Sequence, residues 1–106
     1  MTDRELLELA AKAAGIQLVW HNFSNIPSLF TWLSSDEMWN PLADDGDALR
    51  LAVSLRIDVH YGDSVVVAER VFPQEVGVAK AFDGDILAAT RRAIVRAAAE
   101  IGRQMP

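Results

Sequence analysis

Leu49-Arg50-Leu51-Ala52-Val53-Ser54-Leu55-Arg56-Ile57-Asp58-Val59-His60-Tyr61 admits two readings, and the choice between them sets the fold. Every second residue is apolar, which is the period of a half-buried strand. Thirteen residues is long for one strand. The rival is a helix over about 45–55 followed by a strand over 56–61. Asp44 or Asp45 then caps the helix, the acids of its first turn sit favourably in the macrodipole, and Ala, Leu and Arg supply propensity. Leu49, Ala52 and Val53 share one face in that reading. Helix-then-strand is preferred, because it also explains the residues upstream. Trp39-Asn40-Pro41-Leu42-Ala43-Asp44-Asp45-Gly46-Asp47-Ala48 supplies an aromatic anchor, an Asn-Pro turn and a helix start in sequence.

Outward from this stretch the flanking elements are clearer. Thr2-x-x-Glu5 is a capping-box pattern, and Leu6, Leu9, Ala10 and Ala13 recur at helical spacing up to Gly15, a helix-ending residue. A helix is expected over about 3–14. Ile16–His21 and Ser28–Leu33 have the β-branched and aromatic content of two hairpin arms around the Asn22–Pro27 turn. Ser34-Ser35-Asp36-Glu37 reads as a polar loop. Gly62-Asp63 marks a turn and Ser64–Phe72 a strand, ended by Pro73. Residues 74–82 read either as a short edge strand or as an ordered loop. Asp83-Gly84-Asp85 offers a cap for a helix over about 85–103, with Leu87, Thr90, Ile94, Ala97 and Ile101 as its buried stripe.

Composition narrows the class. The chain has 106 residues, 51% hydrophobic and 24% charged, which fits one domain, 1–106, with a core of its own. There is no cysteine, so disulfides and thiolate metal sites are excluded. The acidic start Met1-Thr2-Asp3-Arg4-Glu5 lacks the basic, then apolar, character of a signal peptide, so a cytoplasmic location and no membrane association are expected. The net charge of −5 belongs wholly to residues 1–53, which carry three bases against eight acids. Such a balance disfavours binding to nucleic-acid phosphate and favours a basic partner.

Three groups of residues are candidates for chemistry or binding. Asp44, Asp45 and Asp47 could hold a divalent cation, but they lack the calcium-loop spacing, and capping with a solvated first turn accounts for them. His21 and His60, near the ends of two expected strands, would form an acid–base or metal pair only if those strands were neighbours. Arg91, Arg92, Arg96 and Arg103 on the last helix could meet the acidic patch of another copy in a weak homo-oligomer. A solvated helix face is the preferred explanation of them. Phosphate-loop and dinucleotide fingerprints are missing from the sequence, which lowers the expectation of an enzyme. No cofactor is expected. The tryptophans with Phe23 and Phe30 crowd into residues 20–39, as core or as a binding surface.

Trp39-Asn40-Pro41-Leu42, Asp44-Asp45-Gly46-Asp47, the Ala48–Ala52 run ending in Ile57-Asp58-Val59, and Ala89–Glu100 together resemble the phage ABA sandwich domain, a family of small phage and prophage proteins. The resemblance implies an α/β sandwich of two or three layers with the middle helix preceding a strand, and it transfers no catalytic residue. The fold class expected is thus α+β, a small, mainly antiparallel sheet packed by three helices. The function expected is a non-catalytic protein-interaction module meeting a host or phage protein. Its surface would comprise Asp36, Glu37, Trp39, Asp44, Asp45 and Asp47. The alternatives are a metal-dependent enzyme or accessory domain using Asp44, Asp45 and Asp47, and an acidic mimic of DNA.

Overall fold

Two of the helices end in the same backbone motif, though only one has glycine to do it. In the computed structural model, which describes residues 1–23, 26–32, 38–73 and 75–106 apart from the side chains at 19, 21–23 and 26–32, α1 spans Asp3–Ala14 and α2 spans Asp45–Leu55. At the end of α1, Gly15 adopts φ +72°, and the N–H groups of Gly15 and Ile16 donate to the carbonyls of Lys12 and Ala11. At the end of α2, Arg56 adopts φ +58°, and the N–H groups of Arg56 and Ile57 donate to Val53 and Ala52 in the same pattern. Each motif satisfies helix-end carbonyls and turns an isoleucine back toward the last turn. Thr2 and Glu5 form the reciprocal capping box at the start of α1.

The order of elements is α1, β1 (Leu18–Phe23), β2 (Ile26–Trp32), α2, β3 (Asp58–Tyr61), β4 (Val65–Arg70), β5 (Val76–Ala81) and α3 (Ile86–Gln104). The α+β class and the three helices stand as expected, and residues 49–55 are helical. β1 and β2 form an antiparallel hairpin, while β3-β4-β5 is a separate antiparallel sheet. Residues 76–81 are therefore an edge strand. β4 stops at Arg70, two residues short of the expected end, and leaves Val71 and Phe72 exposed. The arrangement is two-layered. Register places Val59, Ala68 and Val78 on one face of the sheet, and Tyr61, Val66 and Lys80 beside them. That face meets the helices, and Val66 and Ala68 are fully buried on it. The other face carries Asp58, His60, Val67, Glu69 and Ala79, none of them buried.

α3 lies at the centre of the helical layer, against β4, β5, α1 and α2. It runs parallel to α1. Arg92 pairs with Asp3, Gly102 abuts Leu9, and Lys12 donates to the Met105 carbonyl, so both chains progress in the same direction. Because α3 has neighbours on several sides, burial extends round it to Ala89, Ala93, Val95, Ala98, Ala99 and Gly102. Of the expected stripe, Ile94, Ala97 and Ile101 are buried, Thr90 is half-buried, and Leu87 lies exposed in the first turn ahead of that packing. On α1 the buried set is Leu6, Leu7, Ala10 and Ala11, with Leu9 and Ala13 only half-buried. The shift follows from cover by α3 along the helix and by α2 beside it, while Trp20 of the hairpin lies 4.4 Å beneath the Arg4 guanidinium. Arg70, on the helix-facing side of β4, is buried and donates to the Leu55 carbonyl at 3.4 Å, at the negative end of α2.

Candidate functional site

The acidic stretch is an internal hydrogen-bonded joint. Asn40 begins it: its side chain accepts from the Leu42 N–H at 3.2 Å, and its carbonyl accepts from the N–H groups of Ala43 and Asp44. Such an Asx turn is what asparagine favours over other residues. Asp44 caps α2, accepting from the Asp47 N–H at 2.8 Å. Asp47 reaches back, accepting from the Asn40 N–H at 2.9 Å and from Arg50 at 2.7 Å. Asp45 pairs with Arg91 at 2.7 Å, and Arg91 also donates to the Leu42 carbonyl. Each of the three aspartates is thus engaged by the fold, through Arg50, Arg91 or a backbone N–H. Trp39 is 3% exposed and lines a small hollow with Ala14, Ile16 and Leu51, between the end of α1 and α2. It is a core residue and presents no outward aromatic surface.

The remaining sequence candidates fall in separate places. Asp36 and Glu37 lie outside the described residues, as do Ser34 and Ser35. So do the side chains of His21, Phe23 and Phe30. β1, which holds His21, and β3, which holds His60, belong to different sheets, so these strands are not the neighbours that a histidine pair requires. His60 Nε2 sits 2.9 Å from Glu69 Oε1 on the open face of the sheet. Among the described residues, no three His, Asp or Glu side chains converge as a metal site would demand. The arginines of α3 have intrachain contacts: Arg91 as above, Arg92 with Asp3, Arg96 with the Ala79 carbonyl, and Arg103 with Glu100. Arg103 holds the Glu100 carboxyl below the usual carboxylate range.

The outward side of α2 borders a groove that the sequence pattern conceals. The inward side of α2 carries Ala48, Leu51, Ala52 and Leu55, a complete helical stripe, and this corrects the expected face. Leu49 and Val53 therefore point out, 64% and 59% exposed. With Tyr61 and Leu87, 57% and 58% exposed, they border an apolar groove of about 380 Å³ between α2, β3 and the start of α3. Its floor includes Ile57, Val59 and Ile94. Tyr61 is held in place by Thr90: its hydroxyl donates to Thr90 Oγ1 at 3.1 Å, while the Thr90 hydroxyl donates to the Ile86 carbonyl at 2.7 Å. A signal was present in the sequence. Residues 49–55 hold five apolar side chains, more than one face of a two-turn helix can bury.

The surroundings of the groove are acidic. Asp45 lines it, and the adjoining turns carry Asp63, Asp83 and Asp85, tied together where the Phe82 N–H donates to the Ser64 carbonyl at 3.1 Å. The one cation of its lining, Arg91, is already paired with Asp45. Among the described residues, no helix is long and apolar enough to cross a membrane. Comparison with models of protein families, with curated proteins and with solved structures finds no match for this chain.

Proposed function

We propose that this chain is a small protein-interaction domain of phage or prophage type that acts without catalysis. Its docking face is the groove between α2, β3 and α3. The occupant is an amphipathic helix of a partner protein, apolar on one side and flanked by lysine or arginine. The observation that carries the reading is the exposure of Leu49, Val53, Tyr61 and Leu87 around one hollow. Contiguous apolar surface of this kind on a small domain marks an interaction site. Helix-in-groove recognition uses anchors at i, i+3, i+4 and i+7, and a groove walled by two helices accepts such a ridge. Charge selects the flanks of the partner, because Asp45, Asp63, Asp83 and Asp85 give the surroundings a negative field.

This reading keeps the acidic region as part of the interaction surface but changes its work. Asp44 and Asp47 shape the joint, and Asp45 stands at the groove. The test is a titration of the domain with two synthetic helices of about 18 residues, one of leucine and lysine, the other of leucine and glutamate. Saturable amide shifts at Leu49, Val53, Tyr61 and Leu87 with the lysine peptide, and roughly tenfold weaker binding of the glutamate peptide, are expected. Shifts elsewhere, or equal affinity for both peptides, would contradict the reading. So would concentration-dependent dimerisation abolished by Leu49→Glu, which would assign the groove to a second copy.

A further inference from the structure

On the other side of α3 the chemistry is reversed. Thr90 and Ile94 line the apolar groove, whereas Arg92 and Arg96, about 200° further round the helix, line a cleft of about 420 Å³. Lys80 of β5 faces them from the sheet, placed on the helix side by its register opposite the buried Val66. Leu6, Val78 and Ala99 supply apolar wall between the charges. In a chain of net charge −5 this is a local inversion of sign.

The charges are partly positioned and partly uncommitted. Arg96 donates one N–H to the Ala79 carbonyl at 3.4 Å, which fixes its guanidinium over β5. Arg92 meets Asp3 at 3.0 Å, at the exposed start of α1. Glu100, the carboxylate in the lining, is engaged by Arg103 and Gln104. Among the described residues, Lys80 has no ion-pair or hydrogen-bond partner. Three cations held around one hollow repel one another, and an anion placed between them relieves that repulsion. Guanidinium groups present forked N–H donors that match the oxygens of a phosphoryl group, and a lysine adds a point charge.

We infer that the Lys80–Arg92–Arg96 cleft binds a small organic phosphate, a phosphoryl group carried on a compact apolar body. The phosphoryl oxygens accept from Lys80, Arg92 and Arg96, and the apolar body rests on Leu6, Val78 and Ala99. This site is independent of the groove on the opposite side of α3, so either can fail without the other.

The experiment is an amide-shift titration of the full chain with phenyl phosphate, with inorganic phosphate and phenol as separate arms. The expected result is saturable shifts at Lys80, Arg92, Arg96 and Val78 with phenyl phosphate, weaker with inorganic phosphate and absent with phenol. Lys80→Gln and Arg96→Gln keep part of each side-chain stem, so the fold is retained, and each should weaken binding about tenfold or more, as for loss of a hydrogen bond to a charged group. Arg4→Ala, which removes a surface cation outside the cleft, should leave binding unchanged. Non-saturating shifts, shifts spread over all surface arginines, or affinity indifferent to Lys80→Gln in a variant with a native amide spectrum would overturn the inference.

Discussion

Gly102 of α3 lies so close to Leu9 of α1 that a methyl group on its α-carbon would overlap the Leu9 carbonyl. The obstacle is backbone, which cannot rotate out of the way, so α1 and α3 must separate to admit any side chain. Gly102→Ala is therefore expected to destabilise the domain by about 1–3 kcal/mol despite the better helix propensity of alanine. A urea midpoint equal to or above that of the parent would contradict the close crossing.

Asp47 joins the turn to α2, accepting from the Asn40 N–H and from Arg50. Asp47→Ala leaves that half-buried N–H without its charged acceptor, at a cost of about 1–2 kcal/mol. Trp39→Ala next to it should cost more, about 3–5 kcal/mol, as for other buried large aromatics. Thermal unfolding of both variants checks the order. An Asp47→Ala variant as stable as the parent would return the cluster to a purely surface role.

Arg56 occupies a left-handed conformation that costs a non-glycine residue about 1 kcal/mol. Its side chain is exposed, so Arg56→Gly loses little packing. The variant should gain roughly 0.5–1 kcal/mol, moderated by the greater freedom of glycine in the unfolded chain. A loss of stability would show that the Arg56 side chain does more than the backbone motif requires.

The Thr2 hydroxyl and N–H hold the Glu5 carboxyl below its usual range. A depressed carboxylate pKa contributes stability above the unfolded-state value near 4.5, and that contribution is lost as pH falls through the lower folded value. The start of α1 should therefore fray only below the normal glutamate range. In Thr2→Ala the Glu5 midpoint, followed through its side-chain carboxyl carbon, is expected to move up. An unmoved midpoint would remove the hydroxyl as the cause.

Much of the fold was legible because local signals agreed with it. Thr2-x-x-Glu5, Gly15, the Asn40–Asp47 turn and Asp85 each mark a helix boundary by a side chain suited to that position, and the structure places helix ends there. The end of α2 was harder, since Arg56 performs a glycine's role and nothing in its chemistry announces it. The alternation from Leu49 to Tyr61 fits a strand well, and it arises because an over-apolar helix runs straight into β3. That same surplus hid the groove. A pattern assigning Leu49 and Val53 to the core needs a partner element above them, and the packing supplies none among the described residues. Arg70 and Gly102 depend on which helices cross where, a long-range outcome beyond any local pattern.

The central claim is that Leu49, Val53, Tyr61 and Leu87 seat a cationic amphipathic helix. It is tested most directly by intermolecular nuclear Overhauser effects between the leucine–lysine peptide and the isotope-labelled domain. Cross-peaks are expected from peptide leucine methyls to the methyls of Leu49, Val53 and Leu87 and to the Tyr61 ring. Cross-peaks confined to other surfaces, such as the open face around Val67 and Ala79, would contradict it.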